Sequence, residues 1–129
     1  KKGTLDDKTV TWVAMLVQEG EANAADQRLL EFTLLKRHGF RMMRVTLRQV
    51  AEACQQQDMS GKPLIIDGRH VALVYFRAGY TPRDYTSDID WKGYECIELS
   101  RAIKCPCISY HLAGTKKVQQ KLCEPGEVE

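Results

Sequence analysis

Two short clusters carry side chains suited to holding a small anionic ligand. Glu21, Asn23 and Gln27 lie close together where a helix is expected to begin. Asn23 and Gln27 are four residues apart, the spacing that puts side chains on one helical face. Amides there, beside free backbone N–H groups, can hold a carboxylate or a peptide-like group. A plainer reading makes Asn23 only a helix cap and Gln27 a solvated residue. The second cluster is Arg77-Ala-Gly-Tyr80, directly behind an apolar run. That run anchors the arginine stem and sets its guanidinium at a sheet edge, where it can grip a carboxylate with two parallel bonds. Gly79 relaxes the backbone, and Tyr80 adds a ring with a hydroxyl. The plainer reading pairs Arg77 with a local acid such as Asp84.

The remaining reactive side chains point to less. Gly114-Thr-Lys-Lys117 has lysines near a glycine but lacks the order and the upstream glycine of a phosphate loop. His38, His70 and His111 are scattered, with no cysteine or serine spaced for a triad or a metal site, and structural or surface roles are expected. Cys105 and Cys107 form a C-x-C pair, but no second pair stands at zinc-ligand spacing. The five cysteines, an odd number, read as free thiols in a reducing, cytoplasmic setting. No catalytic residue and no metal ligand is assigned.

Strands and helices must position these groups. Residues 9–17 are β-branched and apolar on both faces, as in a strand buried between two layers. A helix is expected over 24–38, capped by Asn23, with Ala25, Leu29 and Phe32 as its inward stripe, widened by Leu30 and Leu34, and stopped by Gly39. Residues 40–45 read as a second strand, and Thr46 caps a short helix to about Gln55. Asp67-Gly68 between Leu64–Ile66 and Arg69–Phe76 is a hairpin signal, with the second arm central. A helix over 90–102 should turn Trp91, Tyr94 and Ile97 inward. Residues 105–109 read as extended, and 115–122 as a last helix. The alternation predicts a three-layer α/β domain with a mainly parallel, Rossmann-like sheet. Ligands of such sheets bind beyond the carboxyl ends of the strands, where both clusters then fall.

The chain has 129 residues, a single domain on size, with no internal repeat. Lysine and arginine total 19 against 17 acidic residues, a balance too even to argue for nucleic acid. No apolar run is long enough for a membrane span, and no signal-peptide core follows Lys1-Lys2-Gly3-Thr4. Without an initial methionine, and ending in Cys123-Glu-Pro-Gly-Glu-Val-Glu129, residues 1–129 read as one domain excised from a longer chain.

Val74-Tyr-Phe-Arg-Ala-Gly-Tyr-Thr-Pro-Arg-Asp-Tyr85 resembles eukaryotic-type glutathione synthetases, whose pattern there is VVYFRDGYxPxxY. Lys104-Cys-Pro106 and Leu112-Ala-Gly-Thr-Lys-Lys-Val-Gln-Gln120 match the family almost word for word. Glu21-x-Asn23 followed by Asp26-Gln27 matches E-R-N-x-x-D-Q, and Asp67-Gly68 precedes the central strand as it does in the family. These matches keep family order across residues 10–126. The resemblance implies the substrate-binding domain of an ATP-grasp enzyme using ATP and Mg2+, which are bound mainly outside this chain. The parent ligates glycine to γ-glutamylcysteine through an acyl phosphate and acts as a homodimer. It implies substrate contacts at Glu21, Asn23, Gln27, Arg77, Ala78, Gly79 and Tyr80, and an ATP contact at Lys116.

Some positions depart from the family. Ala78 stands for the aspartate of R-D-G-Y, Ala22 for an arginine, and Cys107 where an aspartate can occur. The residues by themselves leave open a free-standing α/β module that binds a small anionic ligand or a partner protein. The resemblance leaves the acceptor, glycine or β-alanine, undecided.

Overall fold

The computed structural model describes residues 10–54 and 59–127. Its centre is β4 (Arg69–Phe76), the longest strand among the described residues. β1 (Thr11–Leu16) runs parallel to it on one side, pairing Ala14 with Val74 and Leu16 with Phe76. β2 (Arg41–Val45) continues the parallel sheet beyond β1. The other edge of β4 carries β3 (Leu64–Ile66), antiparallel near its start, and β5 (Ile103–Cys105), parallel near its end. The expected hairpin is present: Asp67 and Gly68 both take positive φ, 49° and 72°, the requirement of a tight two-residue turn between twisted strands. The register of β1 and β4 shifts between Trp12 and Val13.

Helices cover both faces. On one face α2 (Leu47–Cys54) and α3 (Asp88–Leu99) pack together against Leu16, Val45, Val74 and Phe76 to form the core. Thr46 caps α2 as expected: its hydroxyl accepts from the Gln49 amide at 3.2 Å, while Gln49 Oε1 accepts from the Thr46 amide at 2.9 Å. α2 and α3 meet at Gly93, where an added Cβ would press into the Leu47 carbonyl, 2.8 Å from its carbon. On the other face α1 (Ala25–His38) packs beside β2. Val13, Leu30, Leu34 and Tyr75 line an open groove there of about 570 Å³.

Several local expectations are corrected. The cap position of α1 is Ala24, without a side-chain cap bond, and the Asn23 amide donates instead to Glu21 Oε1 at 2.9 Å. The stripe of Ala25, Leu29 and Phe32 faces outward, with Leu29 70% and Phe32 61% exposed, while α1 buries the polar Gln27. Helical spacing groups side chains, but the crossover from β1 to β2 decides which group meets the sheet. Trp91 is also exposed; it stacks flat on Tyr85, centroids 3.9 Å apart, rather than entering the core beside Ile97. α3 starts at Asp88, earlier than expected, because Ser87 and Asp90 form a capping box. The segment after Cys105 holds a cis bond to Pro106 and an unexpected short helix, α4 (Ile108–Ala113), before α5 (Lys116–Leu122).

Asp90 is buried, and its Oδ2 accepts from the Thr86 and Ser87 amides at 2.8 and 2.9 Å and from both hydroxyls. Burial raises its pKa, but the bonds from Thr86 and Ser87 outweigh burial and leave it below the ordinary 3.8. A depressed carboxylate pKa stabilises the fold above the unfolded value, and that contribution is lost as pH falls through the folded one. The urea midpoint should therefore drop as pH is lowered below about 4, where the unfolded carboxylate titrates. Asp90→Ala should cost roughly 1–2 kcal/mol at neutral pH and flatten that acid limb. Urea titrations of both proteins at pH 7 and pH 3 check this; parallel acid limbs would count against it.

Candidate substrate-binding site

Two loops leave the carboxyl edge of the sheet side by side. One follows β1 at Val17, and the other follows β4 at Arg77. The backbone joins them where they start, since the Arg77 and Ala78 amides both donate to the Leu16 carbonyl at 3.1 Å. The apolar burial of β1 and β4 thus places the Glu21–Gln27 and Arg77–Tyr80 clusters at neighbouring exits, as the α/β rule predicts.

Arg77 does not pair with Asp84. Its guanidinium bonds Asp26 Oδ2 at 3.0 Å, across the gap between the β4 loop and the first turn of α1. The bond holds the Asp26 carboxyl below its ordinary pKa and raises that of Arg77. Both groups stay charged, and Asp26 aims a guanidinium that still has donors to spare. Next to Asp26, the Gln27 side chain is 1% exposed. Its Oε1 accepts from Arg44 at 3.4 Å, while its buried Nε2 has no partner. A buried amide donor without a partner costs free energy unless something accepts from it. Arg77 thus offers charged donors to an acidic ligand, while the Gln27 amide is enclosed beside Arg44.

The other expected residues are distributed around this pair. Glu21 and Asn23 are bonded to each other through the Asn23 amide, and Asn23 is exposed. Because Asn23 lies outside the helix, the four-residue spacing does not put its side chain on the face of Gln27. Tyr80 is exposed, with its hydroxyl donating to the Arg77 carbonyl at 2.9 Å. Gly79 has φ of 87°, and a Cβ there would come within 2.9 Å of Leu16 Cδ2, so glycine is required for the turn. Ala78 is buried. An acid at that point would have to be desolvated. Lys116 opens α5 and is exposed. Its helix follows α4, whose His111 packs edge-on against Phe76 at 5.0 Å and stands 6.3 Å from the Tyr80 ring. Burial lowers the pKa of His111 and favours the neutral ring.

Arg44 was not singled out from the sequence, Asp26 entered only through the family motif, and Asp84 only as a partner for Arg77. Arg44 gave no local signal, because its link to Gln27 crosses from β2 to α1. Asp84 did carry one. Thr81-Pro-Arg-Asp84 and Ser87-Asp-Ile-Asp90 are consecutive capping-box patterns, and both boxes form. All five cysteines are free, as expected. Among the described residues, no group of three or more His, Cys, Asp and Glu side chains could hold a metal ion, and no helix is long and apolar enough to cross a membrane.

Comparison with known proteins places this architecture. Residues 11–113 match the family model described as eukaryotic glutathione synthase. Over 119 residues the chain is 45% identical to glutathione synthetase of Dictyostelium discoideum, covering 91% of this chain and 25% of that protein. It is 46% identical over 118 residues to the chloroplastic glutathione synthetase of Arabidopsis thaliana, covering 91% of this chain and 21% of the relative. The human glutathione synthetase is 43% identical over 118 residues, covering 91% and 24%. The chain therefore spans about a quarter of the length of these relatives. A match over most of its residues, with the Arg77 loop sitting where an α/β sheet binds ligands, makes this chain a member of the eukaryotic glutathione synthase family.

Proposed function

We propose that this chain is the substrate-binding domain of a glutathione synthetase, an ATP-dependent carboxylate–amine ligase. The observation that carries the reading is the Arg77–Asp26 pair held at the carboxyl edge of the sheet in a chain of the glutathione synthase family. γ-Glutamylcysteine offers carboxylates for the guanidinium. Arg77, Gln27, Glu21, Asn23, Gly79 and Tyr80 form the walls that hold it, with Ala78 beneath them. Lys116 meets ATP where this domain borders the rest of the enzyme. Bound ATP supplies the phosphoryl group that activates the cysteinyl carboxylate for attack by the amine of glycine. The residues described here orient the dipeptide for that step. They provide no carboxylate cluster for magnesium, which is left to other parts of the enzyme along with the phosphate clamps that phosphoryl transfer requires.

The test uses the full-length protein and the 129-residue chain side by side, in a phosphate-release assay with γ-glutamylcysteine. The full-length enzyme should turn over with glycine, and a parallel run with β-alanine identifies its preferred acceptor. The short chain should release no phosphate above background. A full-length protein that makes no tripeptide from either acceptor would refute the reading, and so would robust turnover by the short chain.

A further inference from the structure

Asp84 lies where both substrate loops meet, and its carboxylate is used completely. Oδ2 accepts from three consecutive backbone amides, Gly79 at 3.1 Å, Tyr80 at 3.2 Å and Thr81 at 2.9 Å, and from the Thr81 hydroxyl at 3.0 Å. Oδ1 accepts from the side-chain amide of Gln18, which stands on the other loop, behind β1. Successive amides turned to one point form an anion nest, and here the anion is the chain's own. Behind it the Tyr85 hydroxyl donates to the Gly79 carbonyl at 2.6 Å, with its ring stacked on Trp91. The segment following Arg77 is thereby held at Gly79, Tyr80 and Thr81, and through Gln18 it is tied to the strand exit that leads to Glu21, Asn23 and Gln27.

We infer that Asp84 and Gln18 are positioning residues that lock the two substrate-binding loops into one unit and so set the geometry with which Arg77 and Tyr80 meet γ-glutamylcysteine. The inference rests on the reading of this edge as the substrate site. One oxygen of the Asp84 carboxylate takes the three amides while the other turns to Gln18 as an acceptor. In Asp84→Ala both sets of bonds are lost, and in Gln18→Glu two carboxylates face each other; in Asp84→Asn alone the Gln18 amide can turn its oxygen to the new nitrogen, so that variant keeps the cross-link. The Gln18→Glu/Asp84→Asn double variant restores the cross-link with donor and acceptor exchanged. The amide nitrogen introduced at position 84 can then donate to the carboxylate introduced at position 18, while the amide oxygen stays on the nest.

Steady-state kinetics of the full-length enzyme test this, with γ-glutamylcysteine varied at saturating ATP and acceptor. Asp84→Ala should raise KM for γ-glutamylcysteine roughly tenfold with a smaller change in kcat, as displacement of a binding loop does. Gln18→Glu alone faces two carboxylates and should behave likewise. The Gln18→Glu/Asp84→Asn double variant should recover most of the loss seen in Gln18→Glu, a rescue that general destabilisation would not produce. Asp84→Ala with unchanged KM, beside an Arg77→Ala enzyme whose KM rises, would overturn the role of Asp84 while leaving the site in place. Absence of rescue in a folded double variant would also overturn it. If neither Arg77→Ala nor Asp84→Ala alters the kinetics, the substrate reading itself fails and the inference falls with it.

Discussion

Arg77→Ala in the full-length enzyme is expected to lower kcat/KM for γ-glutamylcysteine by roughly ten- to a hundredfold, the usual loss when a charge-assisted bond to a carboxylate is removed. Arg77 follows the central strand and is already aimed by Asp26 at 3.0 Å, so little ordering remains when the ligand arrives. Arg77→Lys should recover only part of the loss, because an ammonium cannot form the parallel pair. Asp26→Asn should cost less than Arg77→Ala, since it removes the partner that aims the guanidinium but leaves the guanidinium itself. The KM for ATP should change far less in all three. Equal unfolding midpoints establish that the variants are folded, and an unaltered dependence on γ-glutamylcysteine in Arg77→Ala would remove this loop from the substrate site.

Gly93→Ala is expected to be the most damaging small substitution in the core. α3 approaches α2 so closely there that the new methyl would meet the Leu47 backbone, which cannot rotate aside as a side chain can. Overpacking of this kind costs about 1–3 kcal/mol, and alanine regains up to about 1 kcal/mol in helix propensity. A clash with backbone falls at the upper end of that range, about 3 kcal/mol less about 1, and the net loss of about 2 kcal/mol lowers the urea midpoint by roughly 1 M for an m-value near 2 kcal/mol/M. The exposed Glu95→Ala on the same helix is the control and should stay within about 0.5 kcal/mol. Matching midpoints for Gly93→Ala and Glu95→Ala would mean that the helices separate without cost. Leu47 also begins the helix behind Thr46, so the same shift would reach the carboxyl edge of β2.

Features encoded in short spacings were legible in the residues alone. β-Branched runs marked β1 and β4, Asp67-Gly68 marked the hairpin, and Thr46 marked the start of α2. The alternation of these elements predicted a mainly parallel sheet, and hence that the Glu21–Gln27 and Arg77–Tyr80 segments sit at its binding edge. The motif around Arg77 likewise carried the family. Helical periodicity, by contrast, was a poor guide to burial: Leu29 and Phe32 lie outside although their spacing is that of an inward stripe. A helix buries whichever face its crossover presents to the sheet, and that depends on strands far away in sequence.

The choice of partner for each polar group in the site was decided only by the tertiary structure. Sequence proximity favoured Asp84 as the acid for Arg77, a few residues on; the fold instead brings Asp26 to it across 51 residues. Asp84, relieved of that role, closes on the Gly79–Thr81 amides and reaches Gln18, 66 residues earlier. Gln27 looked solvated or ligand-binding, and the deciding facts, its burial and its unpartnered amide, come from the packing of α1 and from Arg44 on β2. The sequence by itself determined which elements form, which residue types lie at the binding edge and which family they belong to, because those depend on local propensity and contiguous motifs. Only the assembled sheet decided which donors are already satisfied and which remain for a ligand, since hydrogen bonds select partners by distance in space rather than by separation along the chain.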